Sequence, residues 1–427
     1  MSIAKPDQRL CLLWWKGRDR AGRWIVSVIS KPSQPRQTYH LQQRRLQFLL
    51  LLIAGCLTTM TGGIVAPVFP EMVQELQLDE RWAGMLLSTH ALTSAVATPL
   101  FGLLADRIGK LKVLLPCLVL YAVFGVSTTL FTDFPALLAS RGLLGIVSGG
   151  VAAATIGFLG SMYEGEARSR ILGFATSAMT TAAIMFPLVG GWVGNENWRF
   201  SYYLYAASLP VAVVCLVAFR NSRRSASTLI ETGAKGELGQ VLRQRDVICS
   251  YVLIAAAATV VYAIVIYTPL YLKEVLGADP ELNGMVLAIR AVGAAITSAL
   301  AASWLAKHLG VKRAIALGFA LMAATVFSIP FLTQLVWIVP AAVVFGIGFG
   351  IITPNIYSQL AEVSPSHLRA SVLGLGTGFN SLGQFASPLL LGPLWKYAGL
   401  TVVFGAATAI ALAAMAISLT QFRTSKR

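Results

Sequence analysis

The sequence predicts an all-α integral membrane protein of twelve transmembrane helices, arranged as two pseudo-symmetric six-helix bundles. Three observations predict it: composition, the length of the apolar runs, and where the basic residues fall. Of 427 residues, 56% are hydrophobic and 12% charged, whereas charged residues make up roughly a quarter of a soluble domain. The apolar residues form continuous runs rather than one-sided stripes, so the helices are apolar all round and suit a bilayer core that takes about 20 residues to cross.

Six runs come first, near Phe48 to Val68, Gly84 to Leu104, Val113 to Phe131, Pro135 to Phe158, Ile171 to Val193 and Tyr202 to Phe219. Six more follow a polar interval, near Val247 to Leu272, Gly284 to Ala306, Ala314 to Phe331, Leu335 to Leu360, Ala370 to Gly392 and Leu400 to Thr420. The interval is rich in Ser, Arg, Glu, Gly and Gln and reads as a linker. The expected organisation is a basic cytoplasmic tail over 1–46, a bundle over 47–219, a cytoplasmic linker over 220–246, a second bundle over 247–420 and a short cytoplasmic tail over 421–427. The N-terminal tail carries Trp14, Trp15 and Trp24, but Lys16, Arg18 and Arg20 interrupt it too often for a signal peptide. It reads as a tail without fixed structure or one lying on the membrane surface.

The formal charge of +16 is explained by topology. With both termini inside, 28 of the 34 Lys and Arg residues lie inside, 4 outside (Arg81, Arg199, Lys273, Lys396) and 2 within helices. Without the long tail and the linker the count is still 12 against 4, which places both termini in the cytoplasm by the positive-inside rule and removes the case for nucleic-acid binding. The five cysteines have neither disulfide nor zinc spacing, no His, Cys or carboxylate cluster has metal spacing, and no nucleophile triad is arguable. An enzyme, a cofactor and a metal site are therefore not expected.

The two halves repeat. Ala105 aligns with Ala306, Gly109 with Gly310, Gly145 with Gly346, Arg168 with Arg369, Pro187 with Pro388 and Gly191 with Gly392, each pair 201 apart (306 − 105 = 201). Around the second helix the offset is 200, pairing Gly84 with Gly284 and His90 with Arg290 (290 − 90 = 200). Internal repeats are common in transporters, whose substrate site lies at the repeat interface near the bilayer midplane.

After the second run stands Gly102-Leu-Leu-Ala105-Asp106-Arg107-Ile-Gly109-Lys110-Leu-Lys112, which resembles the signature loop of the major facilitator superfamily. Gly102 and Gly109 permit close approach and a tight turn. The resemblance implies a cytoplasmic latch between the halves that stabilises the outward-facing state, with Asp106 facing the start of the eleventh helix near Arg369. In the second half the acid has become Lys307, so one full latch is expected. Leu137-x-x-x-Arg141-x-x-x-Gly145 is similar to the fourth-helix pattern whose arginine is implicated in proton coupling. Phe186-Pro187-Leu-Val-Gly190-Gly191 is similar to the fifth-helix signature of exporters, with Phe186 and Ala182 standing where that signature has glycine. A phosphate loop is excluded, since six residues separate Gly102 from Gly109 and Leu111 replaces the needed hydroxyl.

Charge inside a membrane is costly and marks function by default. All 18 Asp and Glu residues fall in loops, tails or helix ends, while His90, Arg141 and Arg290 lie well inside helices two, four and eight. Arginines without a carboxylate partner predict a basic cavity that takes an anion; the alternative is hydrogen bonding to helix carbonyls. Tyr262, Tyr267, Asn355, Tyr357, Asn380 and Gln384 are candidate polar groups of the same substrate and proton pathway. The resemblance implies a monomeric secondary transporter of a bacterial inner membrane, moving a small molecule by rocking its halves. Its efflux branch implies export of a neutral or anionic metabolite, siderophore-like compound or drug, with protons as the coupling ion. An uptake symporter and a non-transporting sensor are the alternatives.

Overall fold

The computed structural model describes residues 13–18, 24–29, 34–163, 165–219, 235–365 and 368–421. Cys11, most of the linker, the C-terminal tail beyond 421 and the side chain of Arg168 lie outside the described residues. Two compact units are present, Met1–Gln47 and Phe48–Arg427. The first holds an antiparallel hairpin, β1 (Leu13–Arg18) and β2 (Trp24–Ile29), with Leu13 opposite Ile29 and Arg18 opposite Trp24. This replaces the structureless tail expected from the sequence. Trp14 and Trp15 in β1 and the β-branched Ile25, Val26, Val28 and Ile29 in β2 are residues that favour strand once a partner strand is close.

The second unit is helical. Its spans are α1 (Arg45–Gly63), α2 (Glu80–Ile108), α3 (Lys110–Leu130), α4 (Phe134–Met162), α5 (Arg170–Val193), α6 (Trp198–Ala218), α7 (Arg245–Leu276), α8 (Pro280–Leu300), α9 (Val311–Phe331) and α10 (Leu335–Val363). A last continuous stretch, Arg369–Gln421, is broken by Gly399 at φ 77°, a left-handed conformation that glycine holds without strain. It supplies α11 (369–398) and α12 (400–421), completing twelve spans among the described residues. Asp133 and Asp279 cap α4 and α8 by accepting from the amides of Ala136 and Leu282. Gly109 (φ 104°) and Gly310 (φ 82°) make the same tight turn at repeat-equivalent places, after α2 and before α9.

Within each half the tightest seams are glycine seams. A Cβ on Gly145 of α4 would collide with the His90 carbonyl of α2, and one on Gly346 of α10 would collide with the Arg290 carbonyl of α8. Both the glycines and the carbonyls are repeat-equivalent, so the repeat is a matter of packing as well as of sequence. Small residues of this kind let helix backbones approach closely, which is how helices associate where the surrounding lipid is as apolar as they are.

Candidate functional site

The two halves meet at the end of the bundle opposite the 102–112 loop. Here a Cβ on Gly84 of α2 would press 2.8 Å from Pro388 Cβ of α11, and a Cβ on Gly284 of α8 would overlap the Pro187 carbonyl of α5. Gly191 lies against the Pro280 carbonyl and Gly392 against the Arg81 carbonyl in the same way. These contacts form two repeat-related pairs, and no side chain larger than hydrogen fits at the four glycines without movement. Two ion pairs cross the same seam, Lys273–Glu71 at 3.0 Å and Lys396–Asp79 at 2.7 Å. Asn283, fully buried, donates to the Pro67 carbonyl at 3.3 Å. The hydrogen bond from Lys396 holds the Asp79 carboxyl below the usual carboxylate range, and one from Arg199 does the same for Glu75. The fifth-helix motif belongs to this seal: Pro187 and Gly191 face α8, and Gly190 packs on the Ile64 backbone at the end of α1. Tyr267 is also here, buried edge-on to Trp395 at 5.8 Å, its hydroxyl without a partner.

The opposite end is open. Asp106, Arg107 and Arg369 are exposed, and Asp106 pairs with no described residue. The expected Asp106–Arg369 contact is therefore not made in this conformation. No atom lies within 4 Å of a Cβ built at Gly102, Gly109, Gly173, Gly374 or Gly378, so Gly109 is needed for its turn and Gly102 is not used for close approach. Lys110 reaches back to Gly157 of α4. Among the spans α5 is the least buried.

Arg141 is fully buried and its fork is occupied. Nε donates to the Leu86 carbonyl at 2.9 Å, Nη1 to the Tyr205 hydroxyl at 3.0 Å and Nη2 to the Thr61 carbonyl at 2.6 Å. Tyr205 itself donates to that same carbonyl at 2.9 Å. Thr61 lies in the last turn of α1, where carbonyls lack intrahelical donors, so one arginine satisfies a helix end while tying α1, α2 and α6 to α4. The Thr61 hydroxyl extends the network to Tyr121 of α3 at 3.0 Å. The anion-binding role expected for Arg141 is thus corrected by its surroundings: in this conformation it grips the backbone.

Arg290 differs. Its Nε is buried with no hydrogen-bond partner, and no hydrogen bond or ion pair joins its guanidinium to any described residue. It lies within Coulombic reach of Tyr262, which stands across the seam from His90. A methyl in place of the Gly62 hydrogen would sit 3.2 Å from His90 Cε1 and 3.4 Å from the Tyr262 hydroxyl. His90 is 8% exposed and its Nδ1 has no partner. His90 and Tyr262 therefore meet between the halves at Gly62, with Arg290 within electrostatic reach of Tyr262 and Arg141 within reach of both. Asn355 does not join them, since its amide donates to the Ala302 and Ile351 carbonyls at 3.2 and 2.8 Å. Tyr357 faces Gly376 of α11, and Gln384 donates to Asn380 at 2.6 Å along one face of α11.

The sequence profile of the Major Facilitator Superfamily matches residues 51–388 and 274–426. The chain belongs to the Major Facilitator Superfamily. Its relatives in the superfamily include Multidrug resistance protein 1 of Bacillus subtilis, 21% identical over 87% of this chain and 97% of that one. Quinolone resistance protein NorA of Staphylococcus aureus is 22% identical over 78% and 86%. The Bacillibactin exporter of Bacillus subtilis is 29% identical over only 33% and 37%. Among solved structures, the nucleoside transporter NupG superposes with a TM-score of 0.75 at 12% identity, over 88% of this chain and 100% of that one. A bacterial homologue of the human lysosomal transporter Spinster, in an inward-facing and occupied conformation, gives 0.74 at 14% over 91% and 98%. These likenesses establish a transporter fold and not an enzyme.

Three polar residues of the site, Thr61, Tyr121 and Tyr205, escaped the sequence reading. The usable signal was an arginine deep in a span with no carboxylate in any helix interior, which requires neutral acceptors from neighbouring spans.

Proposed function

We propose that this chain exports a small organic compound, neutral or anionic, in exchange for protons across a bacterial inner membrane, as a monomer with both termini in the cytoplasm. The orientation follows from the 12-to-4 excess of basic residues on the latch side. On that orientation the conformation is inward-facing: sealed outside by the glycine seams and ion pairs, open at the cytoplasmic latch, which re-forms on Asp106 and Arg369 when the halves rock. Relatives named for multidrug and quinolone resistance support export over uptake.

The observation that carries the substrate reading is the Arg290 guanidinium, without a described partner and within electrostatic reach of Tyr262. Arg290 is partly buried within a span, with its Nε shielded, and a cation held there without a counter-charge is stabilised by an anionic ligand that supplies one. Everted vesicles made acidic inside, loaded with the purified protein, test this with a carboxylate-bearing fluorophore, its uncharged ester and a lipophilic cation. Gradient-driven accumulation of the acid, reduced at least tenfold in Arg290→Gln, is expected. Accumulation of the cation alone contradicts the anion reading, and uptake in the reverse direction contradicts export.

A further inference from the structure

The second half contains a cleft lined by four of its helices. Counting the space at its mouth it measures about 460 Å³, and it lies between α7, α8, α9 and α10. Its walls are apolar: Ile264, Val286, Ile329, Ala342 and Phe345 are typical, and Arg290 stands among them. The repeat explains why the space exists. Ala342 is the equivalent of Arg141 (342 − 141 = 201), Met322 of Tyr121 (322 − 121 = 201) and Val286 of Leu86 (286 − 86 = 200). The arginine that fills this position in the first half is reduced to a methyl group, its partner Tyr205 corresponds to Ala406 (406 − 205 = 201), and Tyr121, which extends its network through Thr61, is replaced by a thioether. The polar atoms that remain are mostly satisfied from within. Thr325 donates to the Leu321 carbonyl and Tyr271 to the Pro330 carbonyl, leaving the Arg290 guanidinium and the Thr268 hydroxyl without partners.

We propose that this cleft binds the apolar body of an amphipathic organic anion whose acidic head pairs with Arg290. The inference rests on the reading of Arg290 as an anion-binding group and adds the substrate class: a single acidic head on an alkyl or aryl body, rather than a compact polar acid. One cation at the wall and an apolar interior suit that chemistry, because each part of the ligand meets its own kind of surface. The head is placed near Tyr262 and His90 at the seam, so movement of the halves acts on the charged end while the body stays within one half.

The test is photolabelling of the full-length protein in phosphatidylcholine nanodiscs with decanoate carrying a terminal diazirine, the labelled residues being mapped by mass spectrometry. Label is expected on the cleft walls of α7 and α10. Excess unlabelled decanoate should reduce it at least tenfold, and decanol should not. Arg290→Gln should reduce it similarly, and Ala342→Phe should remove it while leaving the melting temperature within a few degrees. The wild-type competition requires no variant, so a misfolded substitution does not spoil the test. Replacing part of the lipid with phosphatidylglycerol separates two sources of the chemistry: displacement of the label points to a membrane lipid, persistence to a soluble amphiphile. Equal competition by decanol, or label spread over the lipid-facing surface only, overturns the proposal. If vesicle flux of the carboxylate fluorophore depends on Arg290 while the cleft stays unlabelled, the cleft alone is wrong. If that flux is absent as well, the anion reading fails with it.

Discussion

In the first half an arginine on α4 donates to two carbonyls and a tyrosine hydroxyl drawn from α1, α2 and α6. In the second half the same position is Ala342, and the arginine sits instead on α8 with nothing to donate to. One repeated packing scheme, with Gly145 against the His90 carbonyl and Gly346 against the Arg290 carbonyl, carries two opposite uses of an arginine within a span. In the first it completes a polar network and fixes four helices. In the second it is held at the seam uncompensated, next to an apolar cleft. A duplicated bundle can therefore keep one half as a rigid frame and leave the other for ligand, without changing how the helices pack.

The largest effect that this contrast predicts is on folding. Hydrogen bonds to charged groups contribute about 1.5–3 kcal/mol each, and removing the donor strands its buried acceptors. Arg141→Ala should lose on the order of 3–5 kcal/mol and most of its membrane abundance. Arg141→Lys should recover little, since an ammonium cannot reproduce the three-way fork. Arg290→Ala should melt as the wild type does, or slightly higher. A fluorescence-detected size-exclusion melt on both variants decides it, and equal losses would erase the distinction between the halves.

The next effect is at the junction of the two regions. A Cβ at Gly62 would already press on His90 and Tyr262, so Gly62→Ala should lower flux severalfold at near-normal abundance by crowding the site. Normal flux in that variant would show that substrate does not pass between these residues.

A smaller effect concerns the latch. Asp106 is exposed and makes no described contact when the latch end is open, so Asp106→Asn should leave the melting temperature of this state unchanged and slow the cycle severalfold. A lowered melting temperature would mean that Asp106 supports the fold instead.

The smallest effect is on pH dependence. The Asp79 carboxyl is depressed by its hydrogen bond from Lys396, so the pair contributes above the ordinary carboxylate range and is lost only as pH falls through the depressed value. Between pH 5 and 8 the Lys396–Asp79 pair should therefore not titrate. Spectroscopic distances across the Lys396–Asp79 seam that change between pH 5 and 8 would place a pH switch in the seal.

The twelve spans, the 201-residue repeat and the turn at Gly109 were all legible in the sequence, because run length and glycine chemistry are local signals. The site was legible in part. His90 and Tyr262 approach one another at Gly62 and Arg290 lies within electrostatic reach of Tyr262, whereas Arg141 and Asn355 donate to carbonyls and Tyr267 is turned to the seal. A side chain's depth along a helix follows from counting residues. Its direction depends on which neighbouring carbonyls lack donors, and the opening at the end of α1 that claims Arg141 arises only when α1, α2 and α6 converge. The hairpin of the first unit needed a partner strand that no single run announces.

The most direct test of the two-arginine account is binding of a carboxylate ligand and its amide to purified, folded Arg141→Lys, Arg290→Gln and wild-type protein, with melting curves on the same samples. The account predicts that Arg290→Gln keeps its melting temperature and loses roughly ten- to a hundredfold in affinity for the acid but not the amide, the effect of one to two charge-assisted hydrogen bonds. It predicts that Arg141→Lys loses stability while the fraction that remains folded binds the acid as wild type does. Acid affinity unchanged in Arg290→Gln, or lost in folded Arg141→Lys, would contradict it.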